Sequence, residues 1–346
     1  MSIPLQRMEN MNTLRALEIT TTARCNLRCK HCYQRNAKPV DNTLSAALLR
    51  GVLADAASFG AKTALLTGGE FFLHPEWSEI LKIALSFGMR SQVTTNGTLL
   101  TPAICEILPS LGVTVVAVSI DGFRQDHDWR RGEGVFDKAI SAVRVLHGVG
   151  LEVRATVTID KRNLDYLDEL ETYLRHIGVK EVMCLNIAAI GAAAENLTDL
   201  MPSPEDWDKI RKLYKVNAIP RDNACPIFTS MLSLDSEGTF YPCNMAKTLK
   251  MFPLGNVYGD SLKDIWSRTF MESCPARNYR LTDLHQCVSC EAFRLCGGCC
   301  RVRAAKYYGD LLAPDPFACF VYRDNIQGDI SDLMCGVHPR VELAKP

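Results

Sequence analysis

Between residues 15 and about 217 the apolar positions switch repeatedly between two periods. Short β-branched or apolar runs at 15–21, 62–67, 90–95, 114–120, 151–159 and 181–188 read as strands. The stretches between them, 45–59, 76–87, 102–111, 136–149 and 164–176, repeat apolar residues every three or four positions and read as helices. Leu164, Leu167, Leu170, Leu174 and Ile177 form one such core-facing stripe. Six consecutive strand–helix units predict parallel strands joined by right-handed crossovers, with chemistry at the carboxyl ends of the strands. After Pro202-Ser203-Pro204 a helix is expected over 205–214, and the alternation then stops. Residues 230–241 read as a hairpin turning at Asp235-Ser236-Glu237-Gly238, and 274–319 are turn-rich. The expected units are an N-terminal segment (1–14), an α/β unit (15–217), a second domain (218–330) and a tail (331–346), with no low-complexity linker between the two large units.

The strand ends carry polar or glycine-rich segments. Arg24-Cys25-Asn26-Leu27-Arg28-Cys29-Lys30-His31-Cys32 follows the first strand, and Thr67-Gly68-Gly69-Glu70 closes the second. Thr94-Thr95-Asn96-Gly97 closes the third and Ser119-Ile120-Asp121-Gly122 the fourth. All four therefore gather on one rim. The cysteine spacing, C-x3-C-x2-C, puts three thiols on one short loop. An iron–sulfur cube takes four thiolates, so three leave one iron open to another ligand. A zinc knuckle is the simpler alternative, but His31 lies between two ligands and is badly placed to be a fourth.

Composition narrows the setting. Lys and Arg number 39 and Asp and Glu 39, so no whole-chain field points to nucleic acid or an anionic membrane. The start lacks the apolar core of a signal peptide, and no apolar run is long enough to span a bilayer; the expected address is the cytoplasm. Fifteen cysteines are many for such a protein, and there they suit metal or catalytic roles better than disulfides. Most lie beyond residue 224.

The loop Cys25-x3-Cys29-x2-Cys32, with His31 in the usually aromatic position, resembles the signature of the radical S-adenosylmethionine (SAM) enzymes. The resemblance runs through Glu70, Ser119 and Arg131-Gly132-Glu133-Gly134-Val135-Phe136, about residues 15 to 190. It implies an α/β fold, a partial (β/α)6 TIM-like barrel, and a [4Fe-4S] cluster on Cys25, Cys29 and Cys32 whose open iron chelates SAM. Reductive cleavage of SAM then yields a 5′-deoxyadenosyl radical, chemistry that side chains cannot perform unaided. Gly68, Gly69 and Glu70 would receive the SAM ammonium, Arg131 (or Arg130 beside it) its carboxylate, and Ser119 and Asp121 the ribose; Thr95 and Asn96 stand beside them. Reduction implies an electron donor such as flavodoxin or ferredoxin.

The pattern Cys287-x2-Cys290-x5-Cys296-x3-Cys300, followed by Cys319 and preceded by Gly238-x4-Cys243, resembles the cysteine-rich SPASM extension of a radical SAM subgroup. That resemblance implies two auxiliary iron–sulfur clusters. Cys287, Cys290, Cys296 and Cys319 would hold the distal one; Cys243, Cys300 and an upstream cysteine, Cys225, the proximal one. The fuller pattern has two upstream cysteines and this chain has Cys225 alone there, which leaves the fourth proximal ligand open. Cys299 competes with Cys300. A zinc site is the simpler alternative for this block as well.

Cys184, in the sixth strand, is flagged as a hydrogen-atom donor at the barrel mouth, the role an epimerase needs. For an oxidation, Asp235 and Glu237 are candidate bases. The resemblance points first to modification of a ribosomally made peptide by crosslinking, epimerisation or oxidation. Epimerisation, dehydrogenation or decarboxylation of a sugar, aminocyclitol or other small molecule is the second reading, and a noncatalytic iron–sulfur or zinc scaffold the third. Few residues precede Cys25, so a peptide substrate is expected to need a separate recognition protein or the barrel mouth itself.

Overall fold

In a computed structural model of the chain, which describes residues 13–34, 41–187, 190–216, 230–271 and 281–322, nine strands form one sheet in the order β6-β5-β4-β3-β2-β1-β7-β8-β9. β1 (Ala16–Thr20), β2 (Thr63–Thr67), β3 (Arg90–Thr95), β4 (Val113–Ser119), β5 (Glu152–Ile159) and β6 (Val179–Asn186) are mutually parallel. Between them run α1 (Ala46–Ser58), α2 (Trp77–Ser86), α3 (Pro102–Ile107), α4 (Arg124–Arg131), α5 (Val135–Gly148) and α6 (Leu167–His176). The parallel strands expected from the alternation, and the partial barrel that the resemblance implies, are therefore present. The barrel is packed by one core in which Leu17, Ile19, Leu66, Val93, Val118 and Val157 meet the buried faces of these helices.

Local chemistry sets the helix ends. The Ser45 and Thr101 hydroxyls accept hydrogen bonds from Leu48 N and Ile104 N, satisfying amides that the first turn leaves open. The expected helix 102–111 stops at Ile107 and gives way to a 3-10 turn at Pro109–Leu111, because proline lacks the donor and crowds the preceding turn. The expected helix at 164 likewise begins as a 3-10 turn and becomes α-helical from Leu167. Helix α4 was not foreseen. Its sequence, RQDHDWRR, has one strongly apolar residue, and what it buries is His127 and Arg130.

The alternation does end after 202, but the sheet continues. α7 (Trp207–Val216) precedes the hairpin strands β7 (Met231–Leu234) and β8 (Thr239–Tyr241), and β7 pairs with β1 in parallel, matching Glu18 to Ser233. β9 (Gly255–Asn256) adds an antiparallel edge. The second region is thus hydrogen-bonded to the first strand of the barrel. Among the described residues its helices of five residues or more are α8 (Asn244–Thr248), α9 (Leu262–Met271), α10 (Arg301–Tyr308) and α11 (Pro316–Tyr322).

The strand registers define the lumen face. Ser233, Glu18, Leu65, Gln92, Val115 and Glu152 lie level across the sheet, and Thr20, Thr67, Thr94, Ala117, Arg154 and Glu181 lie toward the strand ends. Ser119, Thr156 and Met183 continue that face, then Thr158 and Leu185. Side chains one position away on each strand point to the helices.

Candidate active site

The cysteine loop leaves the end of β1 and is held from several sides. Gly69 N and Glu70 N donate to Thr22 O at 2.8 Å and Arg24 O at 2.7 Å, extending the β1–β2 pairing past the strands. At this approach a Cβ on Gly69 would lie 2.5 Å from Arg24 O, and one on Gly68 would lie 3.0 Å from Thr22 O. The two glycines are needed there because the chains touch through their backbones. Asn26 reaches Thr98 Oγ1 at 2.8 Å and accepts from Asn96 Nδ2 at 3.0 Å, while Lys30 N donates to Arg130 O at 2.9 Å. Ala192 N donates to Cys32 O at 2.9 Å, and Asn196 Nδ2 reaches Lys30 O at 3.2 Å.

On this frame Cys25 is exposed, Cys29 buried and Cys32 intermediate, all as thiols. Burial pushes the Cys29 thiol up to about 11, with the Cys32 and Cys25 sulfurs adding to it and Arg131 opposing. Burial raises the Cys25 thiol as well. Three sulfurs that feel one another, with a guanidinium at hand, are a donor set suited to a polynuclear cluster. Among the described residues no three His, Cys, Asp or Glu side chains close on a single metal ion. A cube does not ask for that, since each thiolate takes a different iron.

Asp121 and Arg131 form a buried pair at 2.5 Å. His31 joins it, with Nε2 3.4 Å from Arg131 and 3.6 Å from Asp121. Burial keeps the imidazole neutral, its pKa lowered to about 3. Burial alone would raise Asp121, but Arg131, His31 and Arg130 hold it well below the ordinary carboxylate range. Its second oxygen accepts from Thr158 N at 2.8 Å. The carboxylate expected at the ribose is thus occupied by Arg131 and the β5 backbone, and the guanidinium expected at the SAM carboxylate already has an anion. Ser119 stands in the lumen, where its hydroxyl accepts from Thr156 Oγ1 at 3.3 Å.

Glu70 is likewise committed. It is 1% exposed and accepts from Thr95 Oγ1 and Asn96 N, both at 2.7 Å, and from Phe72 N at 3.2 Å. Burial raises its pKa against these donors. In this arrangement Glu70, Thr95 and Asn96 act together as a strut between the ends of β2 and β3.

Cys184 corrects an expectation. It packs against the core on the helix side of β6, where Glu171 and Asp168 of α6 are its charged neighbours, and burial pushes its thiol up to about 11. The β6 positions that face the lumen are Met183 and Leu185, because strand side chains alternate. A hydrogen-atom donor at the barrel mouth is therefore not at Cys184. Asp235 and Glu237 serve the hairpin turn. Asp235 accepts from Glu237 N and Thr239 N at 2.9 Å and pairs with Lys250 at 2.6 Å; exposed Glu237 lies 3.5 Å from the same ammonium.

In the second region Cys287, Cys290 and Cys296 lie within electrostatic reach of one another, and Cys287 and Cys296 within reach of Asp315. Asp315 also accepts from Cys300 N at 2.8 Å and pairs with Arg303 at 2.7 Å, and Cys319 N donates to Asp315 O at 2.9 Å. Buried Arg301 donates to Gly298 O, Leu311 O and Ala313 O and so holds the Cys296–Cys300 turn. Cys299 has a positive φ of 51° and lies 3.9 Å from Arg303. Cys243 and Cys300 border one apolar cluster built on Tyr241, Ala246 and Val302. Cys225 lies outside the described residues.

Two features escaped the sequence. Glu18 and Lys247 pair inside the lumen at 2.9 Å; the available signal was a lone carboxylate in the apolar strand Leu17-Glu18-Ile19. Beside the cysteine loop is a cleft of about 510 Å³ whose walls include Arg28, Lys30, Thr98, Trp129, Glu133 and Lys138.

A model of the radical SAM superfamily matches residues 19–174, and one of the SPASM iron–sulfur cluster-binding domain matches residues 225–300. The chain belongs to the SPASM-containing radical SAM enzymes. The residues that meet at the rim are thus those of a family that binds a [4Fe-4S] cluster and SAM, and three thiols on one loop fit that pair. Among similar proteins, the Fe-coproporphyrin III synthase of Methanosarcina barkeri is 27% identical over 88% of this chain and 87% of its own. The PqqA peptide cyclase of Ruegeria pomeroyi is 24% identical over 85% and 84%. The crystal structure of Streptococcus suis SuiB bound to S-adenosylmethionine has the same fold, with a TM-score of 0.70 over 89% of this chain and 78% of that one at 16% identity.

Proposed function

We propose that this radical SAM enzyme modifies a ribosomally made peptide, by crosslinking, epimerisation or oxidation. The observation that carries the reading is the charge balance of the lumen. From the level of Glu18 to the strand ends, the described ionised side chains on this face are paired: Glu18 with Lys247, and Arg154 with both Glu152 and Glu181. Met183 and Leu185 are 38% and 44% exposed at the open edge. Such a wall suits apolar and uncharged peptide side chains, whereas a ligand bearing several carboxylates needs unpaired cations to replace its hydration. The similarity to a peptide cyclase supports the same reading.

When bound, the cluster and SAM supply a radical that takes hydrogen from an unactivated carbon. The chain's own part is to hold and shield them. Cys25, Cys29 and Cys32 would ligate the cluster, with neutral His31 packed beside it. SAM would lie over Gly68 and Gly69, with Ser119 at the ribose and the Glu70–Thr95–Asn96 strut fixing the wall; Arg131, balanced by Asp121, would turn to its carboxylate. Cys287, Cys290, Cys296 and Cys319 would hold one auxiliary cluster, and Cys243, Cys300 and Cys225 a second. The electron would come from a flavodoxin or ferredoxin, and the peptide would be received at the barrel mouth itself or presented by a separate recognition protein. No helix of the described residues is long and apolar enough to cross a membrane, and we place the enzyme in the cytoplasm.

The likeness to the Fe-coproporphyrin III synthase favours a second reading, radical chemistry on a tetrapyrrole. Anaerobic incubation with SAM and dithionite separates the two. One arm contains the peptide encoded by a short reading frame beside the gene; the other contains the iron tetrapyrrole precursor from which an Fe-coproporphyrin III synthase forms its product. The peptide is expected to accelerate 5′-deoxyadenosine formation and to lose two hydrogens or gain solvent deuterium. Acceleration by the tetrapyrrole alone would reverse the assignment.

A further inference from the structure

Glu18 is 6% exposed and Lys247 is 4% exposed. Lys247 Nζ donates to Glu18 Oε1 at 2.9 Å and to Thr20 Oγ1 at 2.8 Å. Ser233 Oγ donates to Glu18 Oε2 at 2.6 Å, and the Asn244 amide also reaches Glu18 Oε1. The donors come from β7 and α8 and the acceptors from β1, so one carboxylate joins the barrel's first strand to the second region. Removing both charges from water costs several kcal/mol per ion before their attraction is counted, and an apolar pair of similar size would often be as stable. Stability alone does not account for this pair.

Its position does. Lys247 is one helical turn beyond Cys243, and its backbone N–H donates to Cys243 O at 3.0 Å. The Cys243 side chain caps the same helix, accepting from Ala246 N at 3.4 Å. Apolar packing around Tyr241, Ala246 and Val302 gives this helix one footing; the ionic contact to β1 gives it another. Strand β1 runs directly into the loop of Cys25, Cys29 and Cys32. Cys243 and the three-cysteine loop are therefore fixed to the same five-residue strand.

We propose that the Glu18–Lys247 pair is a positioning element that sets the Cys243 helix, and with it an auxiliary cluster held by Cys243, in register with the radical-generating loop. This rests on the reading of Cys243 as a cluster ligand. Packing alone could hold a helix, but it would not fix its rotation about β1 as two directed hydrogen bonds from one ammonium do.

The test uses full-length, anaerobically reconstituted protein as wild type, Lys247→Met, Lys247→Arg, Lys247→Met/Glu18→Gln and Cys243→Ala. Iron per chain, cluster-resolved paramagnetic resonance spectra and midpoint potentials are read. In Lys247→Met the spectrum of the SAM-binding cluster is expected to persist, while the auxiliary spectrum changes or its signal is lost. Lys247→Arg is expected to restore the spectrum in part. The double variant no longer buries an unpaired carboxylate, so its thermal midpoint recovers while its auxiliary spectrum does not. An unchanged auxiliary spectrum and potential in Lys247→Met and the double variant, with Cys243→Ala losing iron, would overturn the proposal alone. Full iron and a normal spectrum in Cys243→Ala would overturn the ligand reading and the proposal with it.

Discussion

Gly69 decides whether the cysteine loop can close onto the end of β2. Its missing side chain lets Gly69 N and Glu70 N reach Thr22 O and Arg24 O, and a Cβ would meet two backbone carbonyls, those of Arg24 at 2.5 Å and Ala23 at 2.6 Å. Backbone cannot move aside as a side chain can. Gly69→Ala is therefore expected to cost about 1–3 kcal/mol and to lower iron retention on the loop, read by denaturant unfolding and iron analysis. Cys184 behaves oppositely. Its thiol faces α6, so Cys184→Ala is expected to cost about 1 kcal/mol and to leave both turnover and product stereochemistry unchanged; a lost or inverted product stereocentre would contradict that placement. At this scale the sequence was informative about which residues matter and less so about how they are used. Glu70, Asp121 and Arg131 gather where expected, yet their charges are spent on Asn96 N, Thr158 N and one another. Spacing reveals a rim, but hydrogen-bond partners depend on registers that no local pattern contains.

Elements with a strong apolar period were legible, and those built on charge were not. β3 runs from Arg90 to Thr95 as predicted, and the stripe of Leu167, Leu170 and Leu174 is buried in α6. α4 has no such stripe. It is held by Arg130, which lies inside between Asp121 and Asp160 and donates to Thr158 O. The pairing of β7 with β1 was equally hidden, because the partners lie more than two hundred residues apart and only the hairpin's own turn is local. Buried ion pairs also organise the cysteine-rich region: Asp315 ties the start of α11 to Cys300 N and Arg303. Asp315→Ala leaves that guanidinium without its partner and is expected to cost about 3–5 kcal/mol, with loss of auxiliary iron in the same protein. Unfolding and iron analysis on one sample check both.

The whole molecule is electrically neutral in formal charge, so a local excess is informative. The cleft beside the cysteine loop presents Arg28, Lys30, Arg130, Arg131 and Lys138 against Glu133, with the Lys30 ammonium 4.1 Å from the Trp129 ring. An acidic electron carrier would be steered there, and such steering weakens with salt. Lys30→Glu/Lys138→Glu is expected to slow turnover driven by reduced flavodoxin and to blunt its salt dependence, while dithionite-driven turnover is unaffected. Equal slowing with both reductants would place the electron's entry elsewhere. The architecture joins that outer face, the three-cysteine loop, the lumen and the second cysteine field through one sheet. Everything downstream depends on the loop doing what its three thiols imply. The direct measurement is 5′-deoxyadenosine formed by the anaerobically reconstituted protein with SAM and dithionite, compared with Cys29→Ala treated identically. The account predicts 5′-deoxyadenosine from the wild type and none from the variant, with about four irons fewer per chain. Equal iron and equal 5′-deoxyadenosine in both, or none from an iron-replete wild type, would contradict it.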